Sequence, residues 1–277
     1  MLVDVPEGFA DEMSSVLFDL GADGLEERDA TTLVKGAAGL VTLVASFTTL
    51  ADANEAIAAI EPEYRPRLEE IIGDAWRDAW KEHFHPFLLC DGLVVAPPWE
   101  KYDGKLGKAH VLELEPGRAF GTGLHETTSL VAQALAVHAA EFRGAEILDV
   151  GCGSGILALV ALQFGAARAR AIDNDPDVIG VVLENAERNG MAARITADTT
   201  LVEDFTAHYP VVVANIEAEV LISMAGPLDA HVSAGGLLVL SGILATKRDR
   251  VREAFASLEL LDAPTRGEWV ALILRKS

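Results

Sequence analysis

The chain has 277 residues, 50% of them hydrophobic, and a formal net charge of −21 at pH 7. This length predicts one or two domains, and the apolar fraction is enough for a sizeable core, which excludes bulk disorder. A surface this acidic repels phosphate backbones, so we exclude broad direct binding to nucleic acid. The negative charge then either keeps the protein soluble or attracts a basic partner.

The apolar stretches and the cysteines predict a cytoplasmic location. No apolar stretch reaches the about 20 continuous residues that a membrane-spanning helix needs. The acidic N-terminus lacks the basic region of a signal peptide. Cys90 and Cys152 cannot supply a disulfide framework or a zinc pattern. We therefore expect a reducing compartment, no metal and no membrane partner.

Residues 1–62 are predicted to form a small α+β domain of the ferredoxin-like kind. Its predicted helices are Phe9–Leu20 and Asp52–Ile60, and its strand candidates are Leu2–Val5, Leu25–Arg28, Leu33–Lys35 and Leu40–Ser46. The first 60 residues hold 2 Lys or Arg against 11 Asp or Glu, a formal charge of −9. This uneven charge favours a basic partner for the N-terminal domain.

Residues 63–84 are predicted to form a helical linker to a larger domain over residues 85–277. A helix from Arg67 to Phe84 would place Trp76 and Trp80 one turn apart. This spacing is typical of an apolar stripe that packs on a neighbouring element. Two strands, around Leu93–Ala96 and Ala109–Glu115, are predicted at the start of the larger domain.

From Glu126 onward, apolar strands alternate with helices. The predicted strands are Ile147–Val150, Ala169–Ile172, Val211–Ala214, Leu237–Ser241, Leu258–Leu261 and Trp269–Leu274, and the predicted helices are Thr128–Ala140, Ile156–Phe164, Pro176–Asn189, Ala218–Leu228 and Ala245–Ala256. Uninterrupted apolar strands are typical of parallel strands that are buried on both faces. The alternation therefore predicts an α/β domain with a doubly wound, mostly parallel sheet, in which the last two strands form an antiparallel hairpin.

The segment Ile147–Gly155, ILDVGCGSG, has glycines at alternate positions between a strand and a helix. Glycine there leaves room for a ligand to touch the backbone. The dinucleotide fingerprint GxGxxG requires a third glycine where Ile156 stands, so the spacing argues against a pyrophosphate at the helix start. The pattern DxGxGxG resembles instead the S-adenosylmethionine loop of class I methyltransferases.

Two polar residues stand at the ends of two predicted strands that follow each other along the chain. Asp173 stands where an acid can accept both hydroxyls of a ribose, while Asp175 can cap the helix that follows. Asn215 carries an amide oxygen and two donor hydrogens, which can orient a substrate amine. The alternatives are a helix cap at Asp173 and a loop-capping amide at Asn215.

A further motif, FGTGLHETT, occupies residues 120–128 ahead of the sheet. Its glycines predict a tight loop, and Thr127 or Thr128 can cap the helix that follows. His125 is a candidate general base, although a histidine in such a loop is more often structural.

Together, FGTGLHETT, ILDVGCGSGILA, DNDP, VVANI and GGLLVLSGIL resemble the bacterial ribosomal protein L11 methyltransferase family (PrmA). The resemblance covers roughly Trp76 to the C-terminus. It implies a Rossmann-like class I methyltransferase with a seven-stranded sheet that contains one antiparallel strand. It also implies methylation of the N-terminal amine and lysine side chains of one basic ribosomal protein, held by the N-terminal domain before ribosome assembly.

The resemblance also implies roles for individual residues. The expected cofactor-binding residues are Phe120, Thr128, Gly151, Gly153, Asp173 and Asn215, and the expected catalytic residues are Asn215 and His125. The family's usual leucine after Asn-Ile is Glu217 here, and its usual aspartate before Pro-Gly is Glu115. A negative charge at Glu217 would favour a cationic amine substrate.

Three alternatives stay open at this point. The same chemistry could act on another protein's lysine or on a small-molecule amine. The chain could bind the cofactor without catalysis and act by protein contact. An NAD-dependent enzyme is disfavoured by the spacing of the glycine loop.

Overall fold

A computed structural model describes residues 1–28, 40–68, 84–107, 109–114 and 125–277. The chain forms two compact units, Met1–Phe84 and His85–Ser277. Within the described ranges, no helix is both long enough and apolar enough to cross a membrane. Most of the predicted linker, including Trp76 and Trp80, lies outside the described residues.

The N-terminal unit is an antiparallel sheet packed against helices. Its elements are β1 (Leu2–Pro6), α1 (Ala10–Asp19), β2 (Gly24–Arg28), β3 (Leu40–Ser46) and α2 (Leu50–Ala59), with 3-10 turns at Glu7–Phe9 and Pro62–Tyr64. The strand order is β1-β3-β2, and both pairs are antiparallel. Val3 and Leu43 are opposite each other in the register and pack with Leu17 of α1 in the core of this unit.

A ferredoxin-like fold would place a fourth strand beside β1. In the described residues this position holds an isolated bridge, in which Leu2 and Arg67 exchange backbone hydrogen bonds of 2.8 and 3.0 Å. The Arg67 side chain also forms an ion pair of 2.8 Å with Asp4. Arg67 is therefore paired with the sheet and does not begin a helix as the sequence predicted. The ferredoxin-like topology stays a prediction, because Leu33–Lys35 lies outside the described residues.

The second unit begins with a three-stranded sheet of order β4-β5-β6. These strands are β4 (Phe87–Cys90), β5 (Leu93–Ala96) and β6 (His110–Glu113). Strand β5 runs antiparallel to β4 and parallel to β6. The sequence predicted β5 and β6, whereas the four-residue strand β4 was missed.

The main sheet has eight strands. They are β7 (Glu146–Val150), β8 (Arg168–Ile172), β9 (Ile195–Asp198), β10 (Tyr209–Asn215), β11 (Val232–Leu244), β12 (Glu259–Asp262), β13 (Thr265–Arg266) and β14 (Trp269–Arg275). Seven form the path β12-β14-β11-β10-β7-β8-β9, and β13 pairs with β14 at its side. The five central strands are parallel, and β14 runs antiparallel to β11 and β12. The predicted seven-stranded sheet with one antiparallel strand is thus confirmed, with β13 as an addition.

Helices connect these strands as the alternation predicted. They are α3 (Glu126–Val137), α4 (Ala139–Phe142), α5 (Ile156–Gln163), α6 (Pro176–Arg188), α7 (Ala218–Ser223), α8 (Ala225–His231) and α9 (Arg248–Ala254), with 3-10 turns at Ala192–Arg194, Val202–Asp204 and Ala245–Lys247. The predicted helix over Ala218–Leu228 is split in two at Met224. Asp175 caps α6 as predicted, since its side chain accepts a 2.9 Å hydrogen bond from the Asp177 N–H.

The core lies on both faces of the main sheet. Along β10, Val211 and Val213 pack into one hydrophobic layer, whereas Val212 and Ala214 pack into the other. Successive side chains of a strand point to opposite faces, so a strand covered on both sides must be apolar at every position. Each such valine contributes roughly 1.5–3 kcal/mol of burial free energy. This packing explains the uninterrupted apolar strands and fixes where their carboxyl ends lie.

Candidate active site

The carboxyl ends of the central strands meet at one edge of the main sheet. The register pairs Asn215 with Ser241, Ala214 with Val150, and Val150 with Ile172. The glycine loop after Val150 therefore lies beside the end of β10, and the acid after Ile172 lies one strand further along the same edge. In doubly wound sheets this edge is where ligands bind.

The glycine loop has a left-handed backbone at each of its three glycines. The φ angles are 69° at Gly151, 50° at Gly153 and 76° at Gly155. Glycine adopts such angles readily, whereas side chains rarely do. A Cβ at Gly151 would stand 2.4 Å from Cγ2 of Ile216, and one at Gly155 would stand 2.8 Å from Cγ1 of Val182. The glycines predicted open space for a ligand, but at these two positions the side chains of Ile216 and Val182 occupy that space.

Four backbone N–H groups of the loop already have acceptors within the protein. Gly151 and Cys152 both donate to the Ile172 carbonyl, at 2.8 and 3.1 Å, and Gly155 donates to the Cys152 carbonyl at 2.8 Å. Gly153 donates to Oδ2 of Asp173 at 2.9 Å. A pyrophosphate site needs such groups pointing at the ligand. The hydrogen bonds therefore agree with the glycine spacing in disfavouring a dinucleotide.

Asp173 lies beside the glycine loop and fixes it. One carboxylate oxygen accepts from Gly153, and the other accepts from the Asp175 N–H at 3.1 Å. The sequence predicted a side chain that is free for a ribose, whereas in the structure both oxygens have a backbone partner. Each oxygen has a second lone pair, so the carboxylate can still accept ribose hydroxyls.

Asp149 is a second carboxyl group at the loop, and the sequence analysis gave it no role. It is completely buried, Oδ2 accepts a 3.0 Å hydrogen bond from the Ala158 N–H, and Oδ1 has no hydrogen-bond partner among the described residues. Burial, with the nearby charge of Asp173, raises the pKa of Asp149 to about 7. The Asp173 carboxylate beside the loop favours a cationic ligand over a pyrophosphate. With Asp173 as a ribose acceptor as well, the site fits S-adenosylmethionine, which carries a sulfonium and an ammonium.

Asn215 ends β10 and contacts the first turn of α3. Its Nδ2 lies 3.5 Å from Oγ1 of the buried Thr128, a distance at the long limit for a hydrogen bond. Ser241, which the sequence analysis missed, ties the same helix start to β11 by donating a 3.1 Å hydrogen bond to the Thr127 carbonyl. Asn215 and Thr128 are thus brought together, as expected for residues of one site.

His125 caps α3, a task that the sequence analysis had given to Thr127 or Thr128. Its Nδ1 accepts from the Thr127 N–H at 3.4 Å and lies 2.8 Å from the Thr127 hydroxyl. The ring also packs edge-on against Trp269, with ring centroids 4.8 Å apart. When Nδ1 accepts, the neutral ring carries its proton on Nε2, which can then only donate. This arrangement supports a structural role, and a role as base stays a prediction.

The remaining candidate residues add little to the site. Phe120 and Glu115 lie outside the described residues. Glu217 is exposed directly before α7, and its side chain makes no capping hydrogen bond. Cys90 and Cys152 are buried free thiols, and burial raises the pKa of Cys90 to about 12. Such thiols stay protonated, so neither cysteine is a nucleophile.

Comparison with known proteins identifies the family. Residues 5–277 match the family described as Ribosomal protein L11 methyltransferase (PrmA). The chain belongs to this family. A protein named ribosomal protein L11 methyltransferase from Sorangium cellulosum is 59% identical over 260 residues, which are 92% of this chain and 82% of the relative. One of the same name from Geobacter metallireducens is 36% identical over 98% of this chain and 95% of its own length.

A solved structure supports the same assignment for the fold. The crystal structure of the ribosomal protein L11 methylase from Lactobacillus delbrueckii subsp. bulgaricus has a TM-score of 0.64 and 32% sequence identity. The match covers 70% of this chain and 100% of that chain. The Rossmann-like methyltransferase fold predicted from the sequence is confirmed, and the cofactor is S-adenosylmethionine, as predicted for the family.

Proposed function

We propose that this L11 methyltransferase family member transfers methyl groups from S-adenosylmethionine to the N-terminal amine and lysine side chains of ribosomal protein L11. Family membership over residues 5–277 supports the substrate. The observation that carries the site assignment is the meeting of Asn215 and Thr128 next to the glycine loop at the carboxyl edge of the sheet. An amide there can accept a hydrogen bond from an amine and so orient its lone pair.

The bound cofactor supplies an electrophilic methyl group on a good leaving group, so the protein has mainly to align the acceptor and keep it neutral. Asp173, Gly151 and Gly153 of the glycine loop, and Thr128 would hold the cofactor. The family resemblance adds Phe120 to this set as an expectation. Asn215 orients the acceptor nitrogen and serves as the main catalytic residue. His125 is the weaker second candidate, because its Nδ1 is engaged in capping α3.

The charge of the chain supports a basic substrate. The first 60 residues carry a formal charge of −9, and an acidic surface attracts a basic protein over several ångströms and speeds association. Residues 1–62 form the substrate-binding domain in this proposal, residues 63–84 the linker and residues 85–277 the catalytic domain. The substrate is free L11 in the cytoplasm before it joins ribosomal RNA, and the enzyme binds neither nucleic acid nor membrane directly.

Transfer of label from methyl-labelled S-adenosylmethionine to purified L11 tests this proposal. We expect label on L11 with the wild-type chain and almost none with Asp173→Ala, the cofactor-site control. Label on another protein or on a small amine of a cell lysate, but none on L11, would show that the substrate is not L11. Cofactor binding without any labelled acceptor would favour a non-catalytic protein. Calorimetry with NAD alongside S-adenosylmethionine tests the dinucleotide alternative, for which NAD binding would be required.

A further inference from the structure

Ile216, directly after Asn215, is enclosed by two glycines that belong to the neighbouring strands. Gly151 follows β7, and a Cβ there would stand 2.4 Å from Cγ2 of Ile216. Gly242 lies in β11, and a Cβ there would stand 2.3 Å from the Ile216 carbonyl oxygen and 3.1 Å from its backbone nitrogen. Gly151 therefore leaves room for the side chain of Ile216, and Gly242 leaves room for its backbone.

We infer that Ile216 is a positioning residue, which sets the place of Asn215 by filling the space between Gly151 and Gly242. The inference rests on the proposed role of Asn215 as the residue that orients the acceptor amine. Ile216 itself is assigned no contact with substrate or cofactor. We call this arrangement of Gly151, Ile216 and Gly242 the glycine clamp.

The Asn215 backbone pairs with Ser241 at the end of β10, so strand pairing reaches as far as Asn215. The Asn215 side chain has its 3.5 Å contact with Thr128. Helix α7 begins two residues after Ile216, and Glu217 at its start forms no side-chain capping bond. Packing against Gly151 and Gly242 therefore adds to strand pairing in fixing this turn, and close packing transmits sub-ångström shifts.

The clamp also joins the acceptor side of the site to the cofactor loop. The Gly151 N–H donates a hydrogen bond to the Ile172 carbonyl, which fixes the loop to β8. The Cα of Gly151 faces Ile216. A side chain that displaces Ile216 from Gly151 would move Asn215 relative to the loop. A shift of 1 Å in such geometry can cost about 100-fold in rate.

A series of substitutions at Ile216 tests the inference without touching a glycine. Ile216→Val keeps the β-branch that reaches Gly151, whereas Ile216→Leu keeps the volume and moves the branch. We expect kcat within about twofold of wild type for Ile216→Val and about tenfold lower for Ile216→Leu. The cofactor affinity of both variants, measured by calorimetry with S-adenosylhomocysteine, should stay within about threefold of wild type.

Double variants test the two contacts separately. Gly151→Ala places a methyl group against the Ile216 side chain, so Ile216→Ala should restore part of the cofactor affinity and thermal stability that Gly151→Ala removes. Gly242→Ala meets the Ile216 backbone, so Ile216→Ala should restore nothing there. The matched controls are Gly190→Ala (φ 66°) and Gly235→Ala (φ 74°), which have the same backbone strain with no atom within 4 Å of the added Cβ.

The outcomes separate the clamp from the proposed function. Wild-type kcat in Asn215→Ala would overturn the role of Asn215 and the clamp with it. A low kcat in Asn215→Ala beside wild-type kcat in Ile216→Leu would overturn the clamp alone. Failure of Ile216→Ala to rescue Gly151→Ala would do the same. If Gly242→Ala does not fold, the comparison of kcat between Ile216→Val and Ile216→Leu still tests the clamp.

Discussion

The two sides of the candidate active site are held in place by different forces. On the cofactor side, at the ends of β7 and β8, both oxygens of Asp173 accept backbone hydrogen bonds, of 2.9 and 3.1 Å. On the acceptor side, at the ends of β10 and β11, Asn215 has a 3.5 Å contact with Thr128, and its neighbour Ile216 is packed against two glycines. The side-chain hydrogen bonds of Asp173 fix the first side, whereas on the second side Asn215 depends on strand pairing with Ser241 and on the packing of Ile216.

This difference has consequences for how each side responds to change. A loop that is hydrogen-bonded through Asp173 is already ordered before the cofactor arrives, so binding orders few further groups. The acceptor side depends on shape, so small changes in volume there should alter turnover more than cofactor affinity. Substitutions on the two sides can therefore be told apart by measuring affinity and kcat separately.

The largest expected effect is a pH-dependent gain in stability from Asp149→Asn. The folded pKa of Asp149 is about 7, raised by burial from 3.8, so the folded state keeps a proton that the unfolded state releases. Wild-type stability therefore falls as pH rises from about 4 to about 8, by about 4 kcal/mol in total from this group. Asparagine keeps the acceptor for Ala158 and does not ionise, so that fall should disappear.

Urea denaturation of the cofactor-free protein across this pH range measures the effect. Asp262→Asn, a change at an exposed aspartate of β12, serves as the matched control and should follow the wild-type curve. Parallel curves for wild type and Asp149→Asn would contradict the buried, protonated carboxyl group.

Asp173→Ala should produce the next largest effect, on the cofactor side. It removes the acceptor of the Gly153 and Asp175 N–H groups along with the proposed ribose contact. Hydrogen bonds to a charged group contribute about 1.5–3 kcal/mol each, so cofactor affinity should fall about 100-fold or more. Calorimetry with S-adenosylhomocysteine measures this loss, and Asp173→Asn, which keeps one oxygen, should lose less. An unchanged affinity in Asp173→Ala would exclude Asp173 from the cofactor site.

Asn215→Ala should affect mainly the acceptor side. Loss of one orienting hydrogen bond costs roughly 2 kcal/mol, so kcat should fall about 30-fold while cofactor affinity changes less than about threefold. Steady-state methylation of L11, with calorimetry on the same preparation, provides both numbers. If Asn215→Ala lowered the cofactor affinity as much as it lowered kcat, the cofactor side and the acceptor side would not be separate.

The smallest expected effect concerns His125. His125→Asn retains a helix-capping side chain, whereas His125→Ala does not, and loss of such a cap costs about 1 kcal/mol. We expect thermal unfolding to separate the two variants and kcat to stay within about threefold in His125→Asn. A kcat reduced 100-fold in the stable His125→Asn variant would instead assign His125 to catalysis.

The sequence predicted the parts of the fold that depend on periodicity. Apolar runs such as Val211–Ala214 predicted the parallel strands, and the positions of Asp173 and Asn215 at strand ends predicted a place for both at the carboxyl edge of the sheet. Strand β9 was missed because Ile195–Asp198 is only four residues long and carries one buried apolar side chain, Ile195, on a sheet edge.

Contacts between residues distant in the chain could not be predicted in this way. The burial of Asp149 and the approach of Gly242 to Ile216 depend on the register of several strands and on the helices that cover them. The sequence shows where a glycine or an aspartate stands, but it does not show which residues from other segments pack beside that position. The glycines of the loop illustrate this, since Gly151 and Gly155 make room for Ile216 and Val182.

Mass spectrometry of intact L11, before and after incubation with the chain and S-adenosylmethionine, tests the central claim most directly. We expect mass increases in whole methyl increments, located by fragmentation on the N-terminal amine and lysine side chains. L11 with acetylated amines should gain no methyl groups, and the wild-type increments should decline strongly with Asn215→Ala. An unmodified L11, or methyl groups on atoms other than amine nitrogens, would contradict the proposed reaction.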